Sequence, residues 1–227
     1  RYGTVTGVQT CALPICRVPG QSLSYGLLVL LLSAAVSFGA YRLGSYVLLL
    51  SMLSGFVFLG PVIAIGLYAI SRRLEFGEAP DLDTFRRALR RSLGNAMVFA
   101  LMLLVIFLIW ARAGLMVHVF FPMSAEPRLA DLATYLGIGS AVGSIFAAVT
   151  FASSAFALPM LFDRDTDTVT AVVTSINAVL RNKLAMLVWA SLIVLLVLLS
   201  FVAAGLGLVI VIPWLGHATW HAYRGTI

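Results

Sequence analysis

From Leu184 to Tyr223 the chain runs for about forty residues without a single Asp, Glu, Lys or Arg. One bilayer crossing takes roughly twenty residues at ~1.5 Å each, so this stretch is long enough for two. A helix followed by a turn near Gly205 and Gly207 and a second helix accommodates it. Four more apolar runs precede it, and the expected spans are residues 23–40, 46–70, 96–110, 134–158, 184–200 and 205–223. Composition closes off the soluble alternative. With 61% apolar and 11% charged residues and a mean hydropathy of +1.04, a water-soluble domain of 227 residues has too little interior to hide its apolar surface. The expected fold class is all-α, a polytopic helical bundle forming one membrane domain over residues 17–227. A five-span arrangement, with one long tilted last helix, would move Arg224 to the opposite side.

Charge placement supplies an orientation. Of 15 basic residues only Lys183 is a lysine, and the arginines gather where apolar runs end. With six spans, Arg72, Arg73, Arg86, Arg87, Arg90, Arg91, Arg164, Arg181, Lys183 and Arg224 share one side, against Arg42, Arg112 and Arg128 on the other. The positive-inside rule makes the first side, and with it both termini, cytoplasmic in a bacterial inner membrane. Nucleic-acid binding is therefore a poor explanation of the high pI.

The two cytoplasmic connections read alike. Asp81-Leu82-Asp83-Thr84-Phe85 opens a segment with Leu82, Phe85, Leu89 and Leu93 on one face and Arg86, Arg87, Arg90 and Arg91 largely on the other. Asp165-Thr166-Asp167-Thr168-Val169 opens a second, ending in Leu180, Arg181, Asn182 and Lys183. Both are expected to lie along the membrane interface. Pro61, Pro159 and Pro213 each fall near the inner end of a span, and superposing Pro61 on Pro213 sets Tyr68 opposite Trp220 and Arg72 opposite Arg224. Three repeats of an interfacial helix plus a hairpin follow, the first lacking its leading helix. The opening RYGTVTGVQTCALPIC, residues 1–16, resembles translated sequencing-adapter DNA and is expected to be foreign, so Cys11 and Cys16 are not read as a redox or metal pair.

The residues Gly60-Pro61-Val62-Ile63-Ala64-Ile65-Gly66-Leu67-Tyr68, Ser71-Arg72-Arg73-Leu74-Glu75, Gly77-Glu78, Leu161-Phe162-Asp163-Arg164-Asp165 and Pro213-Trp214-Leu215-Gly216-His217-Ala218-Thr219-Trp220-His221-Ala222-Tyr223-Arg224 together carry a resemblance. As a set they resemble the bacterial integral-membrane domain-of-unknown-function family twenty-one eighty-nine, over about Pro19 to Arg224. The resemblance implies an inner-membrane protein and no established activity. Some members bear cytochrome-oxidase-subunit labels. Three histidines, His118, His217 and His221, are too few for a haem-copper catalytic subunit.

Candidate sites divide by chemistry. His217 and His221 are four apart and share a helix face, so they are the candidate metal or haem ligands. Against this, Trp214, Trp220 and Tyr223 surround them as an interfacial aromatic belt would. Arg72, Arg73, Arg86, Arg87, Arg90 and Arg91 are the candidate lipid-headgroup residues. Asp81/Asp83 and Asp165/Asp167 suit helix capping better than cation binding. Gly139, Gly143 and Ala147, with Ser140, Ser144 and Ala148 beside them, predict a close helix contact within the bundle or between copies. Clear span interiors carry no Asp, Glu, Lys or Arg, which argues against ion-coupled transport.

No catalytic residue and no cofactor is assigned. The reading is a non-enzymatic inner-membrane component that assists assembly or the envelope, or interacts with lipid. The bilayer, anionic phospholipid and a homo-oligomer or membrane complex are its expected partners. The alternatives are a permease or channel for a small neutral or amphipathic molecule, and an accessory respiratory subunit holding haem or metal.

Overall fold

The computed structural model describes residues 15–43, 63–78, 82–121 and 128–227. After a short helical stretch at 15–17, its helices are α1 (Pro19–Leu43), α2 (63–75), α3 (Leu82–Phe120), α4 (Leu129–Ser154), α5 (Ala157–Asp163), α6 (Thr168–Arg181), α7 (Lys183–Val202) and α8 (Leu208–Thr226). No strand occurs among the described residues. Segments within α1, α3, α4–α5 and α7 are long and apolar enough to cross a membrane. The all-helical membrane bundle is therefore observed. Most of the expected 46–70 span and Pro61 lie outside the described residues, as do residues 1–14 and Asp81.

The forty-residue uncharged stretch does break in two. Ala204 and Gly205 take positive φ values of 51° and 84°, which ends α7 and lets α8 begin at Leu208. On α3 the outcome differs from the interfacial helix expected over 81–93. No break separates the arginine-bearing turns from the apolar ones, and Leu82–Phe120 is one helix of 39 residues. At Gly94, the residue best able to interrupt it, a Cβ would meet nothing within 4 Å.

The second connection keeps its separate helix. Asp167 caps α6, its carboxylate accepting from the Thr170 backbone N–H at 3.0 Å and from the Thr170 hydroxyl at 2.6 Å. Those bonds hold the Asp167 carboxyl below its usual range. The capping role expected of this aspartate is thus observed, with Thr170 rather than the adjacent Thr168 as its partner. Thr168 instead donates to the Asn95 carbonyl at 3.1 Å while Asn95 donates to the Thr166 carbonyl at 3.0 Å, tying the start of α6 to α3. Val169, Val173 and Leu180 face outward along one stripe of α6, as an interfacial helix requires.

Between α4 and α5 the helix is broken for a visible reason. Pro159 has no N–H and its ring crowds the carbonyl four residues back, which is Ala155. One turn earlier, Ser175 of α6 inserts into the ladder: its hydroxyl accepts from Phe156 N–H at 3.0 Å and donates to the Ala152 carbonyl at 2.8 Å. The bond that an unbroken helix would make between those two groups is replaced by a side chain from another helix.

Packing has two halves. In the first, α8 runs between α1 and α7 and lies against α2. In the second, α3 packs on α4, and α5 and α6 pack beneath both. The first half is held at three glycines. A Cβ on Gly26 of α1 would fall on the Val209 backbone of α8, one on Gly216 of α8 would meet Leu67 of α2, and one on Gly66 of α2 would meet Tyr25 of α1. Each helix thus presents a glycine to the next, and α2 is buried almost all round from Ile63 to Ser71, with Ala64 partly so. Outward-facing Leu27, Leu31, Leu101, Val105, Leu187 and Leu195 on α1, α3 and α7 are the lipid-facing side of such a bundle.

Candidate functional site: an apolar cavity over a polar floor

Ser22 and Gly26 fall one helical turn apart on the face of α1 that meets α8, which brings the Ser22 hydroxyl to His217. Its oxygen lies 3.1 Å from Nε2, and the Ser71 oxygen of α2 lies 2.6 Å from Nδ1. Ser71 has one proton and gives it to the Leu67 carbonyl at 3.0 Å. Nδ1 must then carry the ring proton and donate to Ser71, while Nε2 accepts from Ser22. His217 is fully buried and both of its ring nitrogens are occupied. It joins three helices, where the sequence pattern suggested an interfacial belt or a ligand pair with the half-buried His221. Among the described residues no group of three or more His, Cys, Asp or Glu is arranged to hold a metal ion.

Below this junction the ends of α2, α5 and α8 converge. Glu75 accepts from the Trp220 indole at 3.2 Å and pairs with Arg224 at 3.4 Å. Asp163 accepts from the Tyr223 hydroxyl at 3.1 Å and faces Arg224 at 3.6 Å and Arg72 at 3.9 Å. Arg72 also stands over the Phe162 ring, and Arg164 over Tyr223 while donating to the Ile227 carbonyl. Individually such half-exposed pairs contribute little. Their value is positional, because Tyr68, Phe162, Trp220 and Tyr223 form one aromatic cluster above them, with Tyr68 stacked on Trp220 at 6.1 Å. Tyr68 and Trp220, matched by superposing the prolines, are thus in contact, and the likewise matched Arg72 and Arg224 share Asp163.

Above this floor, between α3–α4 and α7–α8, lies a cavity of about 820 Å³. Phe99, Leu103, Phe107 and Trp110 line it from α3, Gly143, Ala147 and Phe151 from α4, Trp189 and Ile193 from α7, Thr219 from α8 and Tyr68 from α2. From Phe99 to Trp110 it extends roughly 16 Å along α3, about the ~15 Å thickness of one hydrocarbon leaflet. Of the small residues of α4, Gly143 and Ala147 open onto this space. A Cβ on Gly139 would touch nothing within 4 Å, and one on Gly143 only the Trp110 indole nitrogen at 3.8 Å. Among the described residues, the part of α4 at Gly143 and Ala147 borders the cavity.

The candidate headgroup arginines separate into two sets. Arg86, Arg87, Arg90 and Arg91 are exposed on the first turns of α3. Arg72 and Arg73 are drawn to acids, Arg73 lying 3.2 Å from Glu78. Sequence patterns pointed to none of Ser22, Ser71, Trp110 or Trp189 as site residues. Only the tryptophans carried a signal, being large rings inside apolar runs.

The family model described as predicted integral membrane protein, DUF2189, matches residues 48–163. Neither a curated protein nor a solved structure matches the chain.

Proposed function

Since the chain belongs to the DUF2189 family of predicted integral membrane proteins, we propose that it is a non-enzymatic membrane protein that holds an amphipathic, lipid-like molecule between its two helical halves. The observation that carries this reading is the cavity of about 820 Å³, which is within the range of sites that enclose drug-sized ligands. Its lining of rings, alkyl chains and hydroxyls suits an apolar body, and among the described residues none that lines it is an acid, a histidine or a cysteine able to start chemistry. Retention of such a molecule fits an envelope or lipid-handling role better than catalysis.

Occupancy is readable from Trp110 and Trp189 in the wall. Bromododecane, a heavy-atom quencher with an apolar chain, is expected to quench the purified protein's tryptophan fluorescence saturably. Ala147→Phe, which fills the groove of α4, is expected to weaken that binding about tenfold or more. Equal quenching of both proteins would remove the cavity from the account.

The same reading sets the protein in a bacterial inner membrane with the converging ends of α2, α5 and α8 toward the cytoplasm, where Arg86, Arg87, Arg90 and Arg91 meet anionic headgroups. A cysteine substituted for Arg87 should react with a membrane-impermeant maleimide only after the cytoplasmic face is opened. Reaction in intact spheroplasts would invert the orientation.

A further inference from the structure

A buried tyrosine normally finds a partner for its hydroxyl. Tyr68 is only 5% exposed and lines the cavity, yet its hydroxyl has no hydrogen-bond partner among the described residues. The cavity's Ser154 and Thr219 hydroxyls turn their protons to the Thr150 carbonyl at 2.6 Å and the Leu215 carbonyl at 2.7 Å, and neither is paired with Tyr68. The Tyr68 ring is held by its stack on Trp220 and its contact with Phe162, so its proton remains a fixed donor at the floor of a largely apolar space. A plain hydrocarbon chain would leave that donor unmet, whereas a molecule with an oxygen at its buried end would satisfy it.

We propose that the cavity selects amphiphiles that carry a carbonyl oxygen, which accepts from the Tyr68 hydroxyl at the floor while the apolar body lies among Phe99, Phe107, Trp110, Phe151 and Trp189. This rests on the reading of the cavity as a binding site and names the chemistry of its occupant. Two kinds of membrane molecule carry that chemistry, a quinone through its ring carbonyl and a glycerolipid through its ester carbonyl. The donor is neutral and the floor around it aromatic, so neither kind needs a charge to be recognised.

Native mass spectrometry of the full chain titrated with three probes separates the possibilities. Decyl-benzoquinone carries ring carbonyls, dioctanoylglycerol carries esters, and decylbenzene has the apolar body without oxygen. Tyr68→Phe keeps the ring and its stack. It is expected to bind decylbenzene as the unaltered protein does, and to bind at least one carbonyl probe about three- to tenfold more weakly. The probe that loses affinity identifies the source. Unchanged affinity of Tyr68→Phe for both carbonyl probes would overturn the selection. Failure of decylbenzene to bind the unaltered protein would instead overturn the cavity reading, and this inference with it.

Discussion

Gly26→Ala is expected to prevent α1 from docking on α8 and to cost about 3 kcal/mol or more, because the added Cβ falls on the Val209 backbone and not on a side chain that can rotate away. Overpacking against a backbone is relieved only by moving a whole helix. That movement would also carry Ser22 away from His217, since Ser22 and Gly26 share a face. The measurement is the melting temperature of the purified protein in a mild detergent, with proteolysis of the α1 segment as a second readout. Gly94→Ala serves as the control. Its Cβ would meet nothing within 4 Å, so the substitution is expected to be neutral or to stabilise by up to about 1 kcal/mol through helix propensity. Equal melting of the two variants would mean that the glycine crossing does not hold α1.

His217→Ala is the second large loss. It opens a cavity in a fully buried position and removes both hydrogen-bond partners of the serines at once, an expected cost of about 3–5 kcal/mol. Two further variants divide that sum. His217→Phe restores most of the volume but leaves the Ser22 hydroxyl without its acceptor, so a loss of about 1–3 kcal/mol should remain. Adding Ser22→Ala and Ser71→Ala to His217→Phe removes the stranded polar groups together, and stability should return toward that of the unaltered protein. If His217→Ala melts normally and still binds bromododecane, the three-helix junction is not what supports the cavity.

Apolar run length made the helical bundle legible before any coordinates, and the Ala204–Gly205 turn falls where the glycines near 205 and 207 suggested. Pro159 likewise marked a real break, since proline acts on its own helix. What Pro159 could not reveal is Ser175, nineteen residues beyond Phe156, whose hydroxyl occupies the opened ladder. The same limit applies to the crossings. Gly26, Gly66 and Gly216 have no i, i+4 partner glycine to signal an interface, whereas Gly139, Gly143 and Ala147 display the spacing and the last two border the cavity. Small residues make close approach possible; which surface approaches is decided by tertiary packing. His217 illustrates the point from the polar side. Its four-residue spacing from His221 is correct for a shared face, but Ser22 and Ser71, 195 and 146 residues away in sequence, take both ring nitrogens.

The convergence of α2, α5 and α8 gives Pro159 and Pro213 a common consequence. Helix α2, with the Pro159-bearing α5 and the Pro213-bearing α8, delivers Arg72, Glu75, Asp163 and Arg224 to one ion-paired floor, which fixes Trp220 through Glu75 and, through Trp220, the stack on Tyr68. The chain of contacts runs from an interfacial charge cluster to the inner wall of the cavity. Stability of the floor and binding in the cavity are therefore expected to be coupled, with ligand raising the melting temperature according to its affinity and concentration.

The most direct test of a retained amphipathic molecule is the native mass spectrum of the protein extracted from its own membranes, set beside that of Ala147→Phe. The account predicts one bound molecule of lipid-like mass per chain in the unaltered protein and its loss from the variant. A bare chain in both spectra, or the same adduct at the same occupancy in both, would contradict it.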